Sequence, residues 1–147
     1  MYSPAQILKI LGAAGVRRAL VSSTPDEGTL KLFSAGPQRI VPSLRPYRSR
    51  ADMGGWTRSQ EVFDYVSKRL ERGVYKSVGE FHIFDAGDVN TYQIGGLARL
   101  AVKRGLLLQI HSGPAPVRAL FAIASKVKIL WAHAGMSEPP GVVGRML

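Results

Sequence analysis

The sequence predicts an α/β fold built from parallel βα units, and three observations carry that expectation. Short apolar runs alternate with stretches of helical spacing along all 147 residues. The apolar runs are continuous rather than alternating, the pattern of parallel strands covered on both faces. About five such units fit the chain, each near the ~30 residues of a βαβ repeat.

The elements follow in order. Ser3-Pro4 opens a first helix, with Ser at the cap and Pro at the first position. Ile7, Leu8, Leu11 and Ala14 keep helical spacing until Gly15. Residues 18–23 read as a short strand, 26–33 as a brief helix, and 39–45 as a strand weakened by Pro42. Residues 47–56 are a polar, glycine-containing loop of functional length. The clearest helix spans 57–73, capped by Thr57, with Val62, Tyr65, Val66 and Leu70 as its buried stripe. A strand over 78–84, a loop over 85–88 and a helix over 92–104 closed by Gly105 come next. A strand over 106–111, a helix over 115–125, a strand over 127–133 and a final helix over 141–147 complete the series. Such strands fit an open doubly wound sheet, or equally strands two to six of an eight-stranded barrel. No glycine-rich phosphate fingerprint follows a strand, since Gly95-Gly96 falls inside a helix.

Composition narrows the function classes. A 46% hydrophobic and 20% charged chain is ordinary for a globular domain, and its length makes one domain with a real core. No apolar stretch approaches ~18 residues, so no membrane partner is expected. There is no cysteine, hence no disulfide framework and no thiolate metal site. Met1-Tyr-Ser-Pro4 is not a signal peptide, and a cytoplasmic location is the expectation. The net charge of +10 invites a nucleic-acid reading. The basic residues are scattered over helix ends and junctions, however, without the aromatic interleaving of a single-strand groove, so a nucleic-acid partner is not expected. The expected partner is a small-molecule substrate, and homo-oligomerisation stays open.

The chemistry gathers at strand ends. His82, His111 and His133 sit at or near the downstream ends of successive apolar runs, where a (β/α) barrel places its active site. Side chains alternate along a strand, so Glu80 pairs with His82, Gln109 with His111 and Trp131 with His133 on one face. Glu80, His82, His111 and His133 are therefore candidate ligands for a divalent metal, Zn²⁺ first, with Mn²⁺ or Fe²⁺ as alternatives. A carboxylate such as Glu80 in an apolar strand needs a cationic partner. Arg45 ends a strand on the same side and is a candidate for binding a substrate carboxylate. Each histidine also admits a plain structural role as a hydrogen-bonded core residue, and Trp131 reads as packing.

Three segments, Val78-Gly-Glu-Phe-His82, Leu108-Gln-Ile-His-Ser-Gly113 and Ile129-Leu-Trp-Ala-His-Ala-Gly135, resemble the amidohydrolase superfamily. The closest likeness is to its amidohydrolase-related (amidohydrolase-2) metal-dependent hydrolases, at strands four, five and six. The resemblance implies that residues 1–147 form a single partial (β/α)8 TIM barrel domain, truncated at both ends, with one or two divalent metals. It implies a metal ligand at His111, and at His133 a second-metal ligand or a catalytic group near the bound water. At Glu80 it implies the strand-four position, where a bridging carboxylate can sit. The family's His-x-His pair on the first strand has no counterpart here, nor does the aspartate of the eighth strand. The chain is thus expected to be an internal fragment that does not turn over substrate alone. The implied reaction is attack of a metal-activated water on a C–N, C–O or lactone bond. Non-oxidative decarboxylation, a TatD-like metal nuclease and a non-catalytic α/β binding domain are the alternatives.

Overall fold

The computed structural model describes residues 2–135 and 138–146. Its five strands are β1 (Ala19–Val21), β2 (Ile40–Leu44), β3 (Ser77–His82), β4 (Leu107–His111) and β5 (Lys128–Trp131). They form one all-parallel sheet in the order β1-β2-β3-β4-β5. The helices among the described residues are α1 (Pro4–Ala13), α2 (Glu27–Ala35), α3 (Gln60–Leu70), α4 (Tyr92–Arg104), α5 (Pro114–Ile123) and α6 (Pro140–Gly144). The sequence therefore gives an α/β fold of five βα units, as expected. The final helix is shorter than expected, and Leu147 lies outside the described residues.

Helix boundaries follow the capping chemistry. Ser3 accepts from the Gln6 amide while the Gln6 side chain accepts from the Ser3 amide, a reciprocal cap that Pro4 preorganises. Gly105 ends α4 in the left-handed conformation that a glycine adopts without strain. One boundary differs from expectation. Ser59, not Thr57, caps α3, its hydroxyl accepting from the Val62 amide. Residues Trp56–Arg58 form a separate 3₁₀ turn because Trp56 is drawn inward, its indole N–H donating to the carbonyl of His82 at 2.9 Å. The loop after β2 is likewise ordered rather than irregular. Ser49 and Asp52 cap a 3₁₀ turn over Arg50–Gly54.

Strand order explains where the core sits. Each strand is added on the same side of its predecessor, so right-handed crossovers put the connecting helices on one face. Residues in register share a face, and on the helix side Leu44, Val78, Phe81, Leu108 and Ile110 are buried together. Val62, Val66, Leu70, Leu97, Ala98, Ala101 and Leu120 of the helices complete this core. The sequence pattern suggested strands covered on both faces, but toward the sheet edges the opposite face is open: Leu20 on β1 and Lys128 and Leu130 on β5 are exposed.

Pro42 sits in an interior strand rather than at an edge, contrary to the usual rule. Its carbonyl accepts from the Lys76 amide, so its missing N–H faces β3 just before that strand begins at Ser77. No ladder bond is lost there.

Candidate metal centre

The downstream ends of β3 and β4 converge through a local irregularity. Gly79 pairs with Gln109 and Phe81 with Ile110, so Glu80 is an extra residue in β3. A bulge of this kind re-aims a side chain. From Glu80 onward alternation holds as expected, with Phe81 turned into the core and Glu80 and His82 half-buried on the other face; the inserted residue breaks the alternation only upstream, between Gly79 and Glu80. Gly79 makes the bulge fit. Its φ is +137°, and a Cβ there would stand 2.2 Å from the carbonyl oxygen of Gln109. The Ser43 hydroxyl donates to the Gly79 carbonyl at 2.8 Å and pins the bulge from β2.

Glu80, His82 and His111 each offer a ligand atom within 4.8 Å of the others. The His82 and His111 rings lie 4.5 Å apart. Glu80 Oε1 stands 2.7 Å from His111 Nδ1. A carboxylate only accepts, so Nδ1 of His111 is the donor and Nε2 keeps its lone pair in the neutral ring. Burial, and then the neighbouring His111, push the His82 imidazole below its usual range, which favours the neutral ring.

Tyr47 and Trp56 hold His82 and were not singled out by the sequence reading. The Tyr47 hydroxyl accepts from the His82 amide at 2.9 Å and lies 3.2 Å from His82 Nδ1. Burial raises the Tyr47 pKa above its ordinary value, so it remains a phenol. The His82 tautomer decides the direction of the Tyr47 bond: when Nδ1–H donates to the hydroxyl, Nε2 is open, and when the hydroxyl donates to Nδ1, Nε2 carries the proton. His111, with Nδ1–H on a carboxylate and Nε2 open, has the arrangement that orients an imidazole toward a metal. The only sequence signal for Tyr47 was its place in the long loop after β2.

The remaining candidates are arranged differently. His133 is not on a strand: β5 ends at Trp131, and His133 lies in a following 3₁₀ turn at φ 55°. Strand alternation therefore does not orient it. Its ring is still 4.9 Å from His111, and its Nε2 is 3.6 Å from Glu80 Oε1. With its side chain 61% exposed, it flanks the Glu80–His82–His111 cluster from the solvent side. Trp131 is half-buried and outside the core cluster, and its indole N–H donates to the Ser112 carbonyl at 2.8 Å. Arg45 is half-buried beside the cluster, its Nε donating to the backbone carbonyl of Glu80 at 3.0 Å.

The donor set fits a divalent metal. Two imidazoles and a carboxylate suit Zn²⁺, Mn²⁺ or Fe²⁺. Ligand atoms bound to a tetrahedral zinc stand about 3.4 Å apart, so small side-chain rotations close this cluster around one ion. No helix among the described residues is long and apolar enough to cross a membrane. No family model, curated protein or solved structure matches the chain.

Proposed function

We propose that the chain carries the metal-binding half of a metal-dependent hydrolase of the amidohydrolase type, with a small molecule as substrate. The observation that carries this reading is the convergence of Glu80, His82 and His111 within 4.8 Å at the ends of adjacent parallel strands. The strand order supports the barrel part of the reading. Five parallel strands added without a reversal lack the switch point of a doubly wound sheet and are compatible with a segment of a (β/α)8 barrel. The exposed Leu20 and Leu130 fit the same reading, since that face is the interior of a closed barrel.

In this reading Nε2 of His82, Nε2 of His111 and Glu80 hold the metal, Zn²⁺ first. When bound, such an ion lowers the pKa of a water to about 7 and polarises a substrate carbonyl. Glu80 also fixes the tautomer of His111, and Tyr47 holds the ring of His82 in place. His133, at the solvent side of the cluster, is placed to exchange a proton with substrate or water. Arg45 is the group that orients substrate. The sequence holds no His-x-His pair, so we expect metal binding without turnover from these 147 residues alone.

The test is a zinc titration of the chain by calorimetry, with His111→Ala beside it. We expect one ion per chain and at least a ~100-fold loss of affinity in the variant. Equal affinity in both proteins, or none in either, would sink the metal reading and leave the histidines as structural residues of a binding domain. Non-oxidative decarboxylation is the second reading, favoured by the position of Arg45 against the backbone of Glu80. It uses the same metal residues.

A further inference from the structure

A cleft of about 700 Å³ opens beside the cluster, between the segments that follow β1 and β2. Thr24, Arg45, Tyr47, Arg48, Ser49 and Arg50 are in its wall. Two of these residues are shared with the metal centre. Arg45 donates to the Glu80 carbonyl, and Tyr47 holds His82. A molecule seated in the cleft therefore lies against the cluster.

The charge in this wall is not internally balanced. Arg48 is consumed, bridging Asp52 at 2.9 Å and Glu61 at 3.0 Å. Arg45 and Arg50 make no ion pair among the described residues. Arg45 uses Nε on the Glu80 carbonyl, which leaves the edge formed by its two terminal nitrogens, the edge that meets a planar carboxylate with two parallel hydrogen bonds. Thr24 adds a neutral donor to the same wall: its hydroxyl is buried with no hydrogen-bond partner, so turning it toward an anion in the cleft breaks no existing bond.

The loop's backbone selects among anions. Phosphate sites commonly use a nest of backbone N–H groups. Here the Arg48 and Ser49 amides donate to Asp52, and the Ala51 amide donates to the Ser49 hydroxyl. These amides are spent, so recognition falls to the guanidinium groups. We propose that this cleft is a carboxylate-binding subsite, in which Arg45, Arg50 and Thr24 hold the anionic end of the substrate beside Glu80, His82 and His111. Its role as a substrate subsite rests on the metal-centre reading; the binding of a carboxylate does not.

The test is a benzoate titration of the metal-free chain at pH 8 and fixed chloride, followed by NMR of arginine Nε–H and threonine methyl signals. Inorganic phosphate is titrated in parallel. We expect saturable benzoate binding with a Kd of about 1 mM that shifts the Arg45 and Thr24 signals. We expect Arg50→Gln, a change at an exposed position, to weaken it about fivefold and Arg45→Gln about tenfold. Thr24→Val should weaken it about threefold. Lys103→Gln, a control outside the cleft wall, should leave it unchanged. Absence of saturation, equal Kd in wild type and both arginine variants, or tighter binding of phosphate than of benzoate would each overturn the proposal. The zinc titration separates the two readings. Benzoate binding without zinc binding upholds the carboxylate site and sinks the metal centre. Zinc binding without benzoate binding sinks the subsite alone.

Discussion

Asp26 and Glu80 are both carboxylates withdrawn from solvent near the downstream ends of strands, and they keep different company. Asp26 is fully buried, accepts from the Tyr75 hydroxyl and lies 3.5 Å from Arg69 Nη1. Arg69 also binds Glu27, so the group locks the start of α2 to α3. Among the described residues, the side-chain partners of the Glu80 carboxylate are imidazoles, His111 at 2.7 Å and His133 at 3.6 Å. The difference separates structure from chemistry. A permanent guanidinium neutralises a buried carboxylate and holds two elements together. An imidazole can instead lose its proton and offer a lone pair, so a carboxylate among imidazoles is a place where a cation or a proton can come and go.

The largest test of this contrast is Asp26→Ala. Removing the buried carboxylate leaves the Tyr75 hydroxyl without its acceptor and takes from Arg69 one of its two carboxylates, and we expect about 3 kcal/mol lost in denaturant melts. Zinc affinity of the folded fraction should not change. A loss of under ~1 kcal/mol would erase the distinction. Next comes Glu80→Gln, for which we expect at least a ~100-fold drop in zinc affinity, about 2.7 kcal/mol, with melts within ~1 kcal/mol of wild type. A variant that melts like Asp26→Ala and binds zinc normally would make Glu80 a structural residue too. Tyr47→Phe is milder. It keeps the ring and removes the oxygen that holds His82, so zinc affinity should fall ~10-fold by calorimetry while the fold survives.

The smallest effects are in the pH dependence, where two aspartates have opposite signs. Burial raises the Asp26 pKa above 3.8 in the folded chain. Its contribution is therefore full below that value and declines as pH rises through the raised pKa. The hydrogen bond from Arg48 lowers the Asp52 pKa below 3.8. Its contribution is present above that value and is lost as pH falls through the lowered one. Melts of Asp26→Asn and Asp52→Asn at pH 3 and pH 7 should show gaps from wild type that move in opposite directions, by about 1 kcal/mol for Asp52. Gaps moving together would contradict the assigned causes.

Much of the fold was legible in the chain, because its signals are local. Ser3-Pro4, the stripe Val62, Val66 and Leu70, and Gly105 place helices through capping and spacing that act within a few residues. Pro42 was misleading. Its cost depends on what faces its nitrogen, and that is set by where β3 begins. The sequence reads Thr57 as the cap of α3, since nothing local announces that Trp56 will turn inward to the His82 carbonyl and leave Ser59 to start the helix.

The candidate site divides in the same way. The sequence by itself determined that carboxylate and imidazole groups stand at the ends of successive apolar strands, since residue type and strand period are properties of the chain alone. Only the tertiary structure decided which of them meet. The bulge at Gly79–Phe81 carries Glu80 to His111. The turn after β5 sets His133 outside the inner cluster. The loop after β2 returns Tyr47 to His82 across 35 residues of sequence, and together with the segment after β1 it sets Arg45 and Thr24 around one cleft. These are contacts between distant segments, fixed by strand register and by packing against a common core, and no window of sequence contains both partners.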